Sequence, residues 1–257
     1  MASIRDRVVL ITGASSGIGR ATALAFAAEG TKLLLCARRA EKLEELAKEI
    51  TGTHGVEVHT FSVDVQDRLA VNAAIEALPE AWAKIDILVN NAGLSRGLAK
   101  VYEDDYRNWE EMIDTNVKGL LYVTRAVVPG MVARGLGHVI NLGSTAGHIT
   151  YANGTVYCAT KAAERALSEG LKLDLMGTPV RVTSVDPGMV ETAFSEVRFR
   201  GDKERAAKIY ENITPLVPED VADAIVWVAT RPARVNIHNI VMTTIDQGNS
   251  LVFNRRA

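Results

Sequence analysis

Hydrophobic and polar positions alternate along this chain in a repeating beat. "RVVLITG" is a short apolar run ending in glycine, and it predicts a buried parallel strand over Val8 to Thr12. "SSGIGRATALAFAAEG" has helical character and closes at Gly30, a glycine C-cap. "KLLLCARR" predicts a second strand. "AEKLEELAKEI" is a charged amphipathic helix with Leu43, Leu46 and Ile50 along one side. "VEVHTFSVDV" predicts a third strand leading to Asp64, "RLAVNAAIEALPEAW" a third helix and "IDILVNNAG" a fourth strand.

The beat continues with a long helix over Trp109 to Ala133, a fifth strand in "GHVINLGS", a helix over Thr155 to Met176 and a sixth strand in "VRVTSVDPG". Helices near Glu204 to Glu211 and over Pro218 to Ala229 precede a last strand near Ile240 to Thr243. Such alternation implies right-handed crossovers and a sheet covered on both faces. Gly/Pro-rich linkers and strong internal repeats are absent, so one doubly wound α/β domain over residues 1–257 is the simplest organisation. Residues 194–212, "FSEVRFRGDKERAAKIYEN", are polar and follow a proline-glycine turn beyond a strand end. Ligands bind at strand ends in open sheets, so this segment reads as a substrate flap; a solvated excursion is the alternative.

Composition fits a packed core: 47% of residues are hydrophobic and 23% are charged. The formal net charge is -2 and the basic residues are scattered, which speaks against a nucleic-acid partner. Cys36 and Cys158 are far apart and lack metal-ligand spacing. No apolar run reaches the roughly 18 residues of a membrane span. The N-terminal residues enter a strand without a signal-peptide pattern, so a cytoplasmic enzyme with no membrane partner is expected.

"TGASSGIG" follows the first strand at once. Gly13 permits a tight strand exit, Gly17 lets backbone amides approach a pyrophosphate, and Gly19 permits close helix–sheet packing. Ser15, Ser16 and Ile18 fill the loop between them and join the expected cofactor contact. The spacing differs from the usual Gly-x-Gly-x-x-Gly fingerprint, and glycines that merely turn the chain are the plain alternative. After the second strand comes "CARRAEK", with no acid to bind a ribose hydroxyl. Arg38 and Arg39 instead offer guanidinium groups to a 2′-phosphate, which favours NADP over NAD; an arginine pair on a solvated helix entrance is the alternative. Asp64 can bond the adenine amino group, with Val65 against the ring. Asn91, Ala92 and Gly93 border the nicotinamide ribose, while Asn90 can bond the chain internally.

"GSTAGHITYANGTVYCATKAA" holds the candidate chemistry. Tyr157 and Lys161 are four apart and share a helix face. A free tyrosine has a pKa of about 10, and a nearby ammonium favours its phenolate. Tyr157 can therefore take a proton from an alcohol, or return it to an alkoxide. Ser144 can hold the reacting oxygen, and Lys161 can also bond the nicotinamide ribose. Asn116 lies inside the long helix, where its amide can bond a backbone carbonyl or hold a water leading to Lys161. Pro187, Gly188 and Val190 turn the chain past the sixth strand, where backbone groups and Thr192 can hold a carboxamide. No metal is needed to activate the alcohol.

Together "TGASSGIG", "NNAG", "TNVKG", Ser144 and "YCATK" resemble the classical short-chain dehydrogenase/reductase family over nearly the whole chain. The resemblance implies a Rossmann-like sheet of seven parallel strands in order 3-2-1-4-5-6-7. It also implies catalytic roles for Asn116, Ser144, Tyr157 and Lys161, and a homotetramer with helix–helix contacts around Trp109 to Ala133 and Thr155 to Met176. Longer stretches, among them "WAKIDILVNNAGLSRGL" and "TPLVPEDVADAIVWVAT", are similar to NADP-dependent 3-hydroxy acid dehydrogenases, including serine and L-allo-threonine dehydrogenases. That implies oxidation of small 3-hydroxy acids to 3-oxo acids or semialdehydes. The rival is a broad-specificity carbonyl reductase of neutral ketones, and a non-catalytic NADP-binding protein is a third reading. A substrate carboxylate needs a cationic partner: Arg198 is preferred and Arg200 is second. Ser95 and His148 are read as bordering the pocket openings. The tail after Thr243 has two open roles, a pocket wall or a subunit contact.

Overall fold

β1 (Val8–Thr12) is buried at every position, and its alternate side chains feed two separate cores. Val9 and Ile11 join Leu33 and Leu35 on one face of the sheet, while Val8 and Leu10 join Leu34 and Cys36 on the other. Successive strand residues point to opposite faces, so an unbroken apolar run is what two covered faces require. The computed structural model describes residues 2–256; Met1 and Ala257 of the expected 1–257 unit lie outside the described residues.

The remaining elements follow in alternation: α1 (Gly17–Ala28), β2 (Lys32–Ala37), α2 (Ala40–His54), β3 (Val58–Ser62), α3 (Arg68–Glu76) and β4 (Ile87–Asn90). Then come α4 (Tyr106–Ile113), a π-helical segment (Asp114–Gly119), α5 (Leu120–Arg134), β5 (Gly137–Leu142), α6 (Thr155–Asp174) and β6 (Val180–Pro187). Two short helices, α7 (Phe194–Arg198) and α8 (Lys203–Lys208), precede α9 (Pro218–Ala229) and β7 (Asn239–Met242). The seven strands form one parallel, Rossmann-like sheet in the order β3-β2-β1-β4-β5-β6-β7.

α1, α2 and α9 cover one face through Phe26, Leu43, Leu46, Ile50, Val221 and Ile225. α3 and α5 cover the other through Val71, Val123, Val127 and Met131. Leu43, Leu46 and Ile50 are almost wholly buried, as their helical spacing predicts. Truncating one such leucine to alanine costs about 2–5 kcal/mol.

β1 is flanked by β2 on one side and β4 on the other, so the chain's winding reverses there. The register sets Thr12 beside Cys36, and Asn90 beside Asn141. The loops leaving these strands therefore emerge along one edge, and a crevice opens between them at the reversal.

Three elements depart from the sequence pattern. α3 ends at Glu76 rather than reaching Trp82. Pro79 lacks an N–H and pushes Leu78 away from helical geometry. Trp82 still enters the core, through a turn in which its N–H donates to the Pro79 carbonyl at 2.8 Å. The long central helix is α4 and α5 joined by the π segment, which contains Asn116. π segments interrupt α-helices mostly as single turns, and apolar periodicity does not reveal them. The expected helix at 204–211 is α8, which stops at Lys208, and a further short helix, α7, precedes it, the two parted by Arg200 and Gly201 with φ of 51° and 96°.

Candidate active site

A cleft of about 610 Å³ lies over the C-terminal ends of β1 to β6. Its floor at one end is the loop after β1. Gly13 and Gly17 both have positive φ, 64° and 53°, a region that L side chains rarely adopt. A Cβ on Gly13 would lie 3.0 Å from the Ala92 backbone and from Asn91 Nδ2. Gly19 is covered rather than in the cleft: a Cβ there would run into Asn91 Nδ2 and the Gly13 carbonyl oxygen. Asn91 braces this crossing by donating from Nδ2 to the carbonyls of Thr12 and Gly13. Gly13 and Gly17 thus leave backbone bare to the cleft at the start of α1, whose first amides favour an anion.

Two arginines stand over that loop. Arg39 Nη2 donates to Ser15 Oγ and Ser16 Oγ, each at 2.9 Å. Arg38 pairs loosely with Asp64 at 3.8 Å, both side chains being well exposed. Ile18 and Val65 also line this part of the cleft. The chain positions that close β2, Ala37, Arg38 and Arg39, include no acid, so the donor set fits a nucleotide carrying an additional phosphate. Ala92 and Gly93 line the middle of the cleft, with Pro187, Gly188, Val190 and Thr192 opposite.

α6 brings the candidate acid–base group into the same space. Tyr157 lies mostly buried on the cleft wall, with Lys161 Nζ 5.9 Å from its ring centre. Ser144, at the end of β5, accepts from the Ala146 amide at 3.1 Å and donates to the Pro187 carbonyl at 3.4 Å. These bonds orient its hydroxyl beside the cleft. Lys161 is deeply buried and donates to the Leu142 carbonyl at 2.9 Å and to both oxygens of Glu164 at 3.0 and 2.8 Å. Glu164 carried no role in the sequence reading. Its three-residue spacing from Lys161 on a helix was the available signal.

Asn116 is fully buried and does not line the cleft. Its Oδ1 accepts from the Leu94 amide at 2.9 Å, and Nδ2 donates to the Leu94 carbonyl at 2.9 Å and to Thr160 Oγ1 at 3.0 Å. The amide makes the backbone bond that was one of the two roles open to it. The π segment thereby fixes the strand-four loop against α6. Asn90 turns inward, donating to Thr124 and Asn141.

Residues of the 194–212 segment form the outer wall. Arg198 lines the cleft with its guanidinium carbon 5.4 Å from the ring centres of both Tyr157 and Phe194. Its Nη2 donates to Tyr151 Oη at 3.3 Å, while its buried Nε has no hydrogen-bond acceptor among the described residues. Burial pushes the Tyr151 phenol up, so it stays a neutral hydrogen-bonding group. Arg200 stands outside the cleft, bound to Asn108 and Glu111.

Two readings of pocket borders are corrected. Ser95 is buried against Met112. His148 is turned away from the cleft, with Nε2 2.5 Å from Asp186 Oδ2. Sequence reasoning missed Tyr151 on the wall, and covered Phe194 and Tyr210 only through the 194–212 segment and Gln247 and Phe253 only through the tail, without naming them. Of the two roles open to the tail, its contacts match the pocket wall: Phe253 and Arg255 line the cleft, and Arg255 also donates to the Glu211 and Ile209 carbonyls. Burial pushes the Cys36 thiol up to about 12 and also raises Cys158, so neither is primed as a nucleophile. Among the described residues no cluster of potential metal ligands occurs, and no helix is long and apolar enough to cross a membrane.

Comparison with known proteins matches this geometry to a family. Residues 7–203 match the model of short chain dehydrogenases. The chain is 50% identical over 241 residues to the NADP-dependent 3-hydroxy acid dehydrogenase YdfG of Salmonella typhi, covering 93% of this chain and 96% of that one. It is 42% identical over 251 residues to an NADP-dependent 3-hydroxy acid dehydrogenase of Schizosaccharomyces pombe, covering 97% of each. Among solved structures, the closed form of a serine dehydrogenase complexed with NADP+ superposes with a TM-score of 0.91 at 46% identity. That match covers 97% of this chain and all of the other.

Proposed function

Since the chain belongs to the short chain dehydrogenase family, we propose that it is an NADP-dependent oxidoreductase interconverting small, serine-like 3-hydroxy acids with their 3-oxo acids or semialdehydes. The observation that carries the substrate class is the position of Arg198, a cation beside the Tyr157 ring in one cleft, with an unpartnered buried N–H. The relatives named for 3-hydroxy acids and serine support the same reading.

The residues divide the work. The Gly13–Gly19 loop, Arg38 and Arg39 bind the phosphates, and Asp64 and Val65 the adenine end. Asn91, Ala92, Gly93, Pro187, Gly188, Val190 and Thr192 hold the nicotinamide end. NADP, when bound, supplies the hydride acceptor or donor. Ser144 hydrogen-bonds the reacting oxygen, and Tyr157 moves the proton at that oxygen through its own phenolic oxygen. Lys161 steadies the phenolate by charge. Asn116 fixes the Leu94 loop and α6 with respect to each other. Arg198 holds the carboxylate, and the 194–212 flap, with Phe194 and Tyr151, excludes water.

The cytoplasm and a homotetramer belong to the same proposal. Ile113, Leu121 and Val132 on the α4–α5 pair and Leu173 on α6 are exposed apolar residues on the helices expected to meet a second copy. Light scattering after gel filtration gives the assembly mass, and a monomer at micromolar concentration would remove that part.

A screen of kcat/KM with NADP and NAD tests the activity. Its substrates are serine, allo-threonine, 3-hydroxyisobutyrate, 3-hydroxypropionate and neutral ketones. Acids with NADP should dominate. The apolar wall formed by Leu98, Met189 and Phe253 favours the second reading, reduction of neutral ketones. Dominant turnover of a neutral ketone would select it.

A further inference from the structure

Glu164 is a buried carboxyl that the proposed proton transfer does not use. It lies seven residues after Tyr157 and three after Lys161 on α6, and all three are buried along that helix. The Glu164 side chain is 3% exposed. An ammonium has three donors and no acceptor. Those of Lys161 are directed to the Leu142 carbonyl and to the two Glu164 oxygens. One of the two cations over the Tyr157 ring therefore carries an anion at its back; the other, Arg198 from α7, lies 5.4 Å from the ring centre and donates to Tyr151 Oη.

Other groups around the pair have settled partners. Tyr157 and Lys161 share its helix. From β6, Asp186 also bears on Glu164, and Asp186 is held by Ser184, His148 and Asn239. β5 contributes the neutral Asn141, which donates to Ser168, and the π segment contributes the neutral Asn116. Burial pushes the Glu164 carboxyl up to about 7, against the pull of the Lys161 ammonium. Burial opposes the charge on Lys161, yet Glu164 and, beyond it, Tyr157 and Asp186 raise that group above the ordinary lysine value.

We propose that Glu164 is a positioning residue: its two oxygens hold the Lys161 ammonium and partly cancel that charge at the Tyr157 hydroxyl, so that Glu164 sets the pH range in which Tyr157 exchanges its proton. This rests on Tyr157 being the acid–base group. The sign follows from charge. A carboxylate behind the lysine disfavours a second anion on the phenol, so removing it favours phenolate at lower pH. A buried ion pair that only stabilised the fold would leave the proton chemistry of Tyr157 where it was.

Glu164→Gln keeps the volume and one acceptor but removes the charge. Two readouts are compared with wild type: the pH dependence of kcat/KM for oxidation of the best acid, and the ultraviolet difference titration of phenolate without nucleotide, using Tyr157→Phe as the blank. Both midpoints should fall by about 1 pH unit in Glu164→Gln. Glu164→Asp keeps the charge but withdraws it by one methylene, and should shift both midpoints the same way by less. Unmoved midpoints in folded Glu164→Gln overturn the inference; if that variant does not fold, unmoved midpoints in Glu164→Asp do so. Wild-type turnover in Tyr157→Phe sinks the acid–base assignment and this inference with it. Loss of turnover in Tyr157→Phe, with unmoved midpoints in the Glu164 variants, sinks the inference alone.

Discussion

The two ends of the cleft are made of different material. At the phosphate end, seven consecutive residues, Gly13 to Gly19, do most of the shaping, and bare backbone is the working surface. Asn91 and Arg39 brace that loop from neighbouring strand ends. At the substrate end, Tyr151, Arg198, Tyr210, Gln247 and Phe253 arrive from separate stretches of chain. There the working surface is side chain. The segment carrying Arg198 is tied down by others: Tyr210 Oη bonds Ser195 and the Val190 carbonyl, and Arg255 bonds the Glu211 carbonyl. A backbone device tolerates little variation in what it binds. A side-chain device can change its ligand one residue at a time. Cofactor class should therefore be separable from substrate class by mutation.

The harshest test of that separation is Tyr157→Phe. Turnover of every substrate should drop by about 10³-fold, within the usual range for a lost general acid–base group, while the NADP dissociation constant stays within a factor of a few. Fluorescence titration and steady-state kinetics measure the two. A matching loss of NADP affinity would join the ends that the comparison separates.

Arg198→Ala comes next. Loss of a charge-assisted bond should lower kcat/KM for small hydroxy acids by about 10²-fold and leave neutral ketones much less affected. Equal losses for both substrate classes would remove the carboxylate role. Replacing Arg38 and Arg39 together with alanine should weaken NADP binding by about 10-fold or more and hardly touch NAD, because only NADP carries the additional phosphate. Equal weakening of both cofactors would make the arginines general contributors. Phe253→Ala sharpens the picture most gently. It should alter the ratio of bulky to small substrates by about several-fold through lost apolar contact, with NADP affinity unchanged.

Legibility in the sequence follows the same division. The strand order implied by the family resemblance is the order of the sheet, and the apolar runs mark the buried strands. Tyr157 and Lys161 meet in the cleft because helical spacing alone brings them to one face. Asn116 was legible as a helix residue, but its clamp on Leu94 depends on a π segment that apolar periodicity does not signal. His148 looked available as a loop histidine. Its partner Asp186 stands on β6, and nothing local in the sequence connects them. Arg198 and Arg200 are nearly indistinguishable in "VRFRGD"; positive φ at Arg200 and Gly201 and the partners of each guanidinium send one into the cleft and the other to Glu111.

The sequence by itself determined the alternation of elements, the family, the bare-backbone phosphate loop and the tyrosine–lysine pair. Each depends on neighbours within about two helical turns or one strand, where spacing fixes geometry. Only the tertiary structure decided which arginine faces the phenol and that the tail closes the pocket wall. Those outcomes depend on rotamers, burial and contacts between segments remote in the chain, and a buried charge takes its partner from whatever the packing delivers.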